Sequence, residues 1–187
     1  MKTALKRDRI ISIVFKTLYL LLVFLSFNSI FAHTTILKAF SVAMAVIGGC
    51  YFLYRFFQFR YYKKTTGLFL LIAFVLSYVL SSIVTREFNY SENIQATIWM
   101  IIQFALLYAT DSSYSKEDYK KEIHIIFSVI LVYTTIMAIA GIIMFLTRYN
   151  SRIPRNGTIV IMGYLWNRLF GAYTDPNYGA VFSIVSS

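Results

Sequence analysis

Apolar blocks, each about as long as a lipid bilayer is thick, recur along this chain of 187 residues. A helix needs roughly 20 apolar residues to cross the hydrocarbon core. The blocks fall at residues 10–32, 35–57, 67–85, 94–110 and 123–147. Hydrocarbon offers no partner for a backbone N–H or C=O, so a crossing segment must satisfy its own. The predicted fold is therefore all-α, a polytopic transmembrane helical bundle of about five full spans in a single transmembrane domain. A shorter apolar stretch, 158–170, is interrupted by Gly163, Asn167 and Arg168. Its length of about 13 residues favours an interfacial or re-entrant segment over a crossing. Beyond the external loop and this segment (148–177), a further span opens near Tyr178 and is truncated at Ser187.

Composition agrees with this class and excludes others. Hydrophobic residues make up 58% and charged residues 14%, whereas a soluble domain carries about 25% charge. The net charge of +10 raises the question of nucleic acid, and residues 51–64 do interleave aromatic and basic side chains. At the end of an apolar span that mixture is an interface belt, so the expected partner is the lipid bilayer and not nucleic acid. Cys50 is the only cysteine, which rules out an internal disulfide. The first apolar run, 10–32, exceeds the roughly 7–15 residues of a cleavable signal core and reads as an uncleaved span.

Lys and Arg in short loops set orientation. Lys2, Lys6, Arg7 and Arg9 precede the first span; Arg55, Arg60, Lys63 and Lys64 follow the second; Lys116, Lys120 and Lys121 follow the fourth. Alternating spans put all three groups on one side, which predicts a multi-pass protein of the cytoplasmic membrane with its N-terminus inside. The loop after the fifth span is then external, yet it holds Arg148, Arg152 and Arg155, with Arg168 beyond. Arg stays charged and grips phosphate with a planar fork. These four are candidate pyrophosphate-binding residues; contact with lipid headgroups or with an acidic loop is the competing account.

Residues 168–180, RLFGAYTDPNYGA, concentrate polar groups at this point. Asp175 and Pro176 read as the start of a helix, with Asp accepting first-turn N–H groups and Pro tolerated at the first position. Gly171 and Gly179 give the backbone room. Arg168 beside a helix N-terminus makes a cradle suited to a lipid-linked pyrophosphate. Asp175 would tether the loop, and Asn177 could hydrogen-bond a sugar or a neighbouring loop.

The pattern of Arg168, Leu169, Gly171, Asp175, Pro176, Asn177, Tyr178 and Ala180 resembles the signature of O-antigen ligase and O-antigen polymerase-type membrane glycosyltransferases. With Tyr173 and Thr174 before the Asp, it is most similar to Gram-positive capsule and exopolysaccharide polymerases. The resemblance covers about a dozen residues. It implies transfer of a glycan from undecaprenyl-pyrophosphate to an acceptor hydroxyl outside the cytoplasmic membrane, without nucleotide sugar, metal or other cofactor. It implies a phosphate role for Arg168, and it allows partners among other polysaccharide-assembly membrane proteins. Family members continue through more helices and a large external loop that helps deprotonate the acceptor. This chain ends at Ser187, so it reads as an N-terminal fragment, inactive alone, whose catalytic residue is unknown.

The remaining features have blander readings. His33 and His124 lack metal-ligand spacing, and no metal site is expected. Ser41, Ala45 and Gly49 form a row of small residues suited to helix packing. Lys16 and Lys38 are expected to reach the headgroups, and 111–122 to be a solvated connector. The rival to the enzyme is a non-enzymatic multi-pass protein, such as a polysaccharide exporter or transporter. Transporters place ionisable groups near the bilayer centre, and the spans look almost free of them.

Overall fold

The computed structural model describes residues 2–59, 68–85, 87, 90–108, 115–155, 157–165, 168–175 and 177. Helices dominate: α1 is Lys2–Phe27, α2 Thr35–Phe59, α3 Leu68–Val84, α4 Tyr90–Ile102 and α5 Lys116–Leu146. A π-helical stretch, Gln103–Tyr108, continues α4. Three strands follow, β1 (Asn150–Arg155), β2 (Thr158–Leu165) and β3 (Arg168–Gly171), in one antiparallel sheet of order β1-β2-β3.

Each predicted span contains a helix, but the lengths differ. Lys6–Phe27, Thr35–Phe57 and Lys116–Leu146 are long and apolar enough to cross a membrane. The 17 residues of α3 reach about 26 Å, short of the roughly 30 Å of hydrocarbon. Ile36, Phe69 and Val84 are each more than three-quarters exposed, a surface that water penalises and lipid tails do not.

Local chemistry sets the helix ends. The first helix stops at Phe27, before the predicted 32, because the Asn28 side-chain oxygen accepts the Ile30 N–H at 2.8 Å and turns the chain. Helix α2 opens on Thr34, whose hydroxyl oxygen accepts the Leu37 N–H at 3.2 Å. Helix α5 starts seven residues before the predicted 123, at a reciprocal cap. Ser115 Oγ accepts the Asp118 N–H at 3.2 Å, and Asp118 Oδ2 accepts the Ser115 N–H at 3.1 Å.

The segment 158–170 corrects the expectation of a helix at the membrane interface. It forms β2 and the first three residues of β3. The run Thr158-Ile-Val-Ile favours a strand, and Gly157, at φ 81°, makes the turn back from β1. Burial alternates: Val160 and Met162 are buried while Ile159 is 67% exposed. The apolar residues of this segment fit both periods, and the pairing of Ile153 with Val160 and Ser151 with Met162 settles it as strand.

The chain forms two compact units, residues 1–12 with 43–119 and residues 13–42 with 120–187. In the first unit, Asp8 of α1 is buried with Arg55 of α2. Arg55 Nη2 donates to Asp8 Oδ2 at 3.0 Å, and the Tyr51 hydroxyl donates to Oδ1 at 3.1 Å. The Arg55 guanidinium lies 5.4 Å from the centre of the Tyr51 ring. Arg9 pairs with Asp118 at 2.6 Å, so the latter serves a cap and an ion pair together. Phe74 of α3 meets Phe104 of the π-helical stretch edge to face.

In the second unit, Lys16 of α1 pairs with Glu122 of α5. Both expectations for this region are corrected: Lys16 turns to a carboxylate instead of the headgroups, and residues 116–122 are helix instead of connector. Residues 111–114 lie outside those described. Further along, Phe24 stacks on Tyr133 at 4.3 Å, and the Asn28 amide donates to Met137 Sδ at 3.4 Å. The paired numbers rise together, 16 with 122, 24 with 133 and 28 with 137, so α1 and α5 run in the same direction.

Removing one member of a buried ion pair strands the other charge. Lys16→Ala is expected to cost about 3–5 kcal/mol, whereas Lys16→Met with Glu122→Leu costs far less. Thermal unfolding of helical circular dichroism in mild detergent measures both.

Candidate functional site

The polar segment 148–177 is built onto the ends of α1 and α5. After α5 the chain turns at Arg148, which takes a left-handed conformation at φ 49°. Tyr149 then accepts the Tyr164 N–H on its carbonyl at 2.8 Å. That carbonyl lies over Gly163, at φ 95°, where a Cβ would collide with it. The pairing shifts between Gly163 and Tyr164, a bulge that glycine permits. Tyr164 packs edge to face on Phe145 of α5.

Sheet and helix ends are tied by the turn after α1. Ser29, fully buried, donates its hydroxyl to the Ile161 carbonyl at 3.1 Å. Its N–H donates to the Ala172 carbonyl at 2.8 Å, and the Thr174 N–H donates to the Phe27 carbonyl at 3.0 Å. Between them Asn28 and Tyr173 form an antiparallel bridge. Ala172 and Tyr173 are buried with Met137 of α5, flanked by Phe27, Tyr133 and Met144. Burial raises the Tyr173 pKa, because the phenolate would lose its hydration there.

Of the candidate phosphate ligands, Arg155 has a local partner. Its Nη1 donates to the Ile30 carbonyl and, at 3.3 Å, to the Ala32 carbonyl. These carbonyls lie just past the end of α1, where acceptors lack helical partners. Arg152 projects from the opposite, exposed face of β1, with Asn150 and Pro154. Arg148 is exposed before β1. The backbone of Arg168 pairs with Leu165 at the start of β3.

The structural candidates of the motif follow β3. Gly171 takes φ 59°, and a Cβ there would lie 3.5 Å from the Gly141 Cα of α5. Asp175 Oδ1 accepts the Asn177 N–H at 2.8 Å, the geometry of a helix cap. Pro176 and the span expected at 178–187 lie outside the described residues. Among the described residues, no group of three His, Cys, Asp or Glu could hold a metal ion.

Sequence reasoning did not single out Asn28, Ser29, Glu122 or the Asp8–Arg55–Tyr51 set. Asn28 and Ser29 carried a usable signal, a polar doublet inside the apolar run 10–32. No protein-family model matches the chain, and no curated protein or solved structure shows a significant match.

Arg155→Ala leaves two carbonyls short of a charged donor and is expected to destabilise the protein by about 1–3 kcal/mol. Arg152→Ala, on the exposed face, is expected to change stability by less than about 0.5 kcal/mol. Thermal unfolding of the two variants side by side tests this division.

Proposed function

We propose that the chain is a multi-pass membrane glycosyltransferase of the O-antigen ligase/polymerase type. It acts on undecaprenyl-pyrophosphate-linked glycan at the outer face of the cytoplasmic membrane, with its N-terminus inside. The observation that carries the reading is the tie between residues 27–29 and 172–174. It fixes residues 172–174 of the motif to the end of a helix long enough to cross a membrane. The parallel course of α1 and α5 supports the topology, since two such helices need an odd number of crossings between them. Between them, α2 is the helix long and apolar enough to cross among the described residues, and it supplies one. Arg168, at the head of the motif, takes the phosphate; Arg152 and Arg148 are exposed and add positive charge nearby in sequence. Arg155 contributes to the scaffold through its two carbonyl contacts.

A second reading, an exporter or transporter, is favoured by one observation. Lys16 and Glu122 pair within two membrane-length helices, and Glu122 Oε2 is buried with no hydrogen-bond partner among the described residues. Ionisable pairs inside spans mark transport pathways in many proteins. The pair also serves as a packing contact between α1 and α5, which is the simpler account.

Arg168→Ala, in the whole protein in its native membrane, is expected to lower glycan transfer by roughly 100-fold, the scale of one lost transition-state charge contact. Arg168→Lys keeps the charge but loses the fork and should fall in between. Full transfer by a stably expressed Arg168→Ala protein would sink the reading. Loss of export by Lys16→Met with Glu122→Leu, with transfer chemistry absent throughout, would favour the transporter.

A further inference from the structure

We infer that Asn28 is a positioning residue for the motif, holding 172–174 in register on the end of α1 so that Arg168 and Asp175 keep a fixed spacing. The inference rests on the proposed glycan-transfer reading for its functional consequence, but not for its structural content.

Asn28 is 5% exposed, and each end of its amide is used. Oδ1 accepts the Ile30 N–H at 2.8 Å, which ends α1 and turns the chain. Nδ2 donates to Met137 Sδ at 3.4 Å, which fixes that turn to α5. Its backbone bridges Tyr173, and the neighbouring residues Phe27 and Ser29 take the flanking hydrogen bonds from Thr174 and to Ala172. Three consecutive residues thus act as a short strand for three residues of the motif. Met137 closes the loop, because it touches Asn28 and packs with Ala172 and Tyr173.

Hydrophobic contact alone would not define this register. A slip of one residue would exchange buried Tyr173 for half-buried Thr174. The Asn28 amide removes that freedom, since its acceptor needs the Ile30 N–H and its donor needs the sulfur of α5. Alanine at this position deletes both contacts while leaving the bridge backbone intact. The bridge would then open more often, and Thr174 would become accessible.

The test uses the whole protein with Cys50→Ala and Thr174→Cys, labelled in intact membranes by an impermeant maleimide. Adding Asn28→Ala is expected to speed labelling about tenfold, the scale of one lost buried hydrogen bond. Asn28→Ser, whose hydroxyl can still accept the Ile30 N–H, should recover part of the protection. In glycan transfer, Asn28→Ala should lower kcat with little change in KM for the lipid-linked donor, because binding groups remain and only their placement suffers. Unchanged labelling in a folded Asn28→Ala protein overturns the inference. Faster labelling with no transfer by the parent protein supports the positioning role and counts against the glycosyltransferase reading instead. If Asn28→Ala does not fold, Met137→Leu keeps the volume and removes the sulfur acceptor; faster labelling there supports the inference and an unchanged rate overturns it.

Discussion

The parallel contact between α1 and α5 is the constraint on which the second compact unit depends. In lipid, apolar side chains gain little by leaving the tails for one another, so helices associate through close packing and polar contacts. The α1–α5 contact uses both. Lys16 and Glu122 neutralise each other near one end, and Phe24 stacks on Tyr133. The Tyr133 hydroxyl donates to the Phe24 carbonyl at 3.0 Å, and Asn28 reaches Met137. Lipid tails could supply none of these polar partners. They therefore fix both the rotation and the longitudinal register of the two helices.

That register decides where the motif sits. Ala172 and Tyr173 bury against Met137 of α5, yet their hydrogen bonds go to the turn that follows α1. Sliding α1 along α5 by one turn, about 5.4 Å, would separate the apolar half of this docking site from its polar half. Arg155 adds to the same turn by bonding Ile30 and Ala32, so the hairpin of β1 and β2 is tied there as well. The polar segment after α5 is thus not a loose loop. It is a small sheet whose one face, with Val160 and Met162, is buried.

The helices were legible because the signal is local. An apolar block such as 35–57 names its own structure once the solvent is lipid, and α2 fills it almost to the residue. Helix starts were less clear. Ser115 and Asp118 form a capping box, but a row of lysines around it reads equally well as a solvated loop. The ion pairs were out of reach, since Lys16 and Glu122 lie 106 positions apart and only the packing of α1 on α5 joins them. The sheet failed for a different reason. Ile159, Met162, Leu165 and Leu169 fit a helical stripe, whereas the deciding facts are a partner strand containing Arg152 and Pro154 and the bulge at Gly163. For the motif, Asp175 could be read as a cap from its neighbours alone, while the bridge from Asn28 to Tyr173 could not.

The distribution of charge bears on the two functional readings differently from how the sequence suggested. The spans do carry ionisable groups, but the carboxylates Asp8, Asp118 and Glu122 each meet a cation from another helix. A pair of opposite charges costs desolvation and repays it through geometry; it specifies which helix packs where. A transport pathway needs more than that, namely a group able to exchange its partner for a passing ligand. Of the three, only Glu122 keeps a buried oxygen without a hydrogen-bond partner among the described residues. The polar segment 148–177, by contrast, turns Arg155 to the Ile30 and Ala32 carbonyls of the turn after α1, while Arg148 and Arg152 are exposed. Arg155 thus serves the scaffold, joining the β1–β2 hairpin to the turn that follows α1.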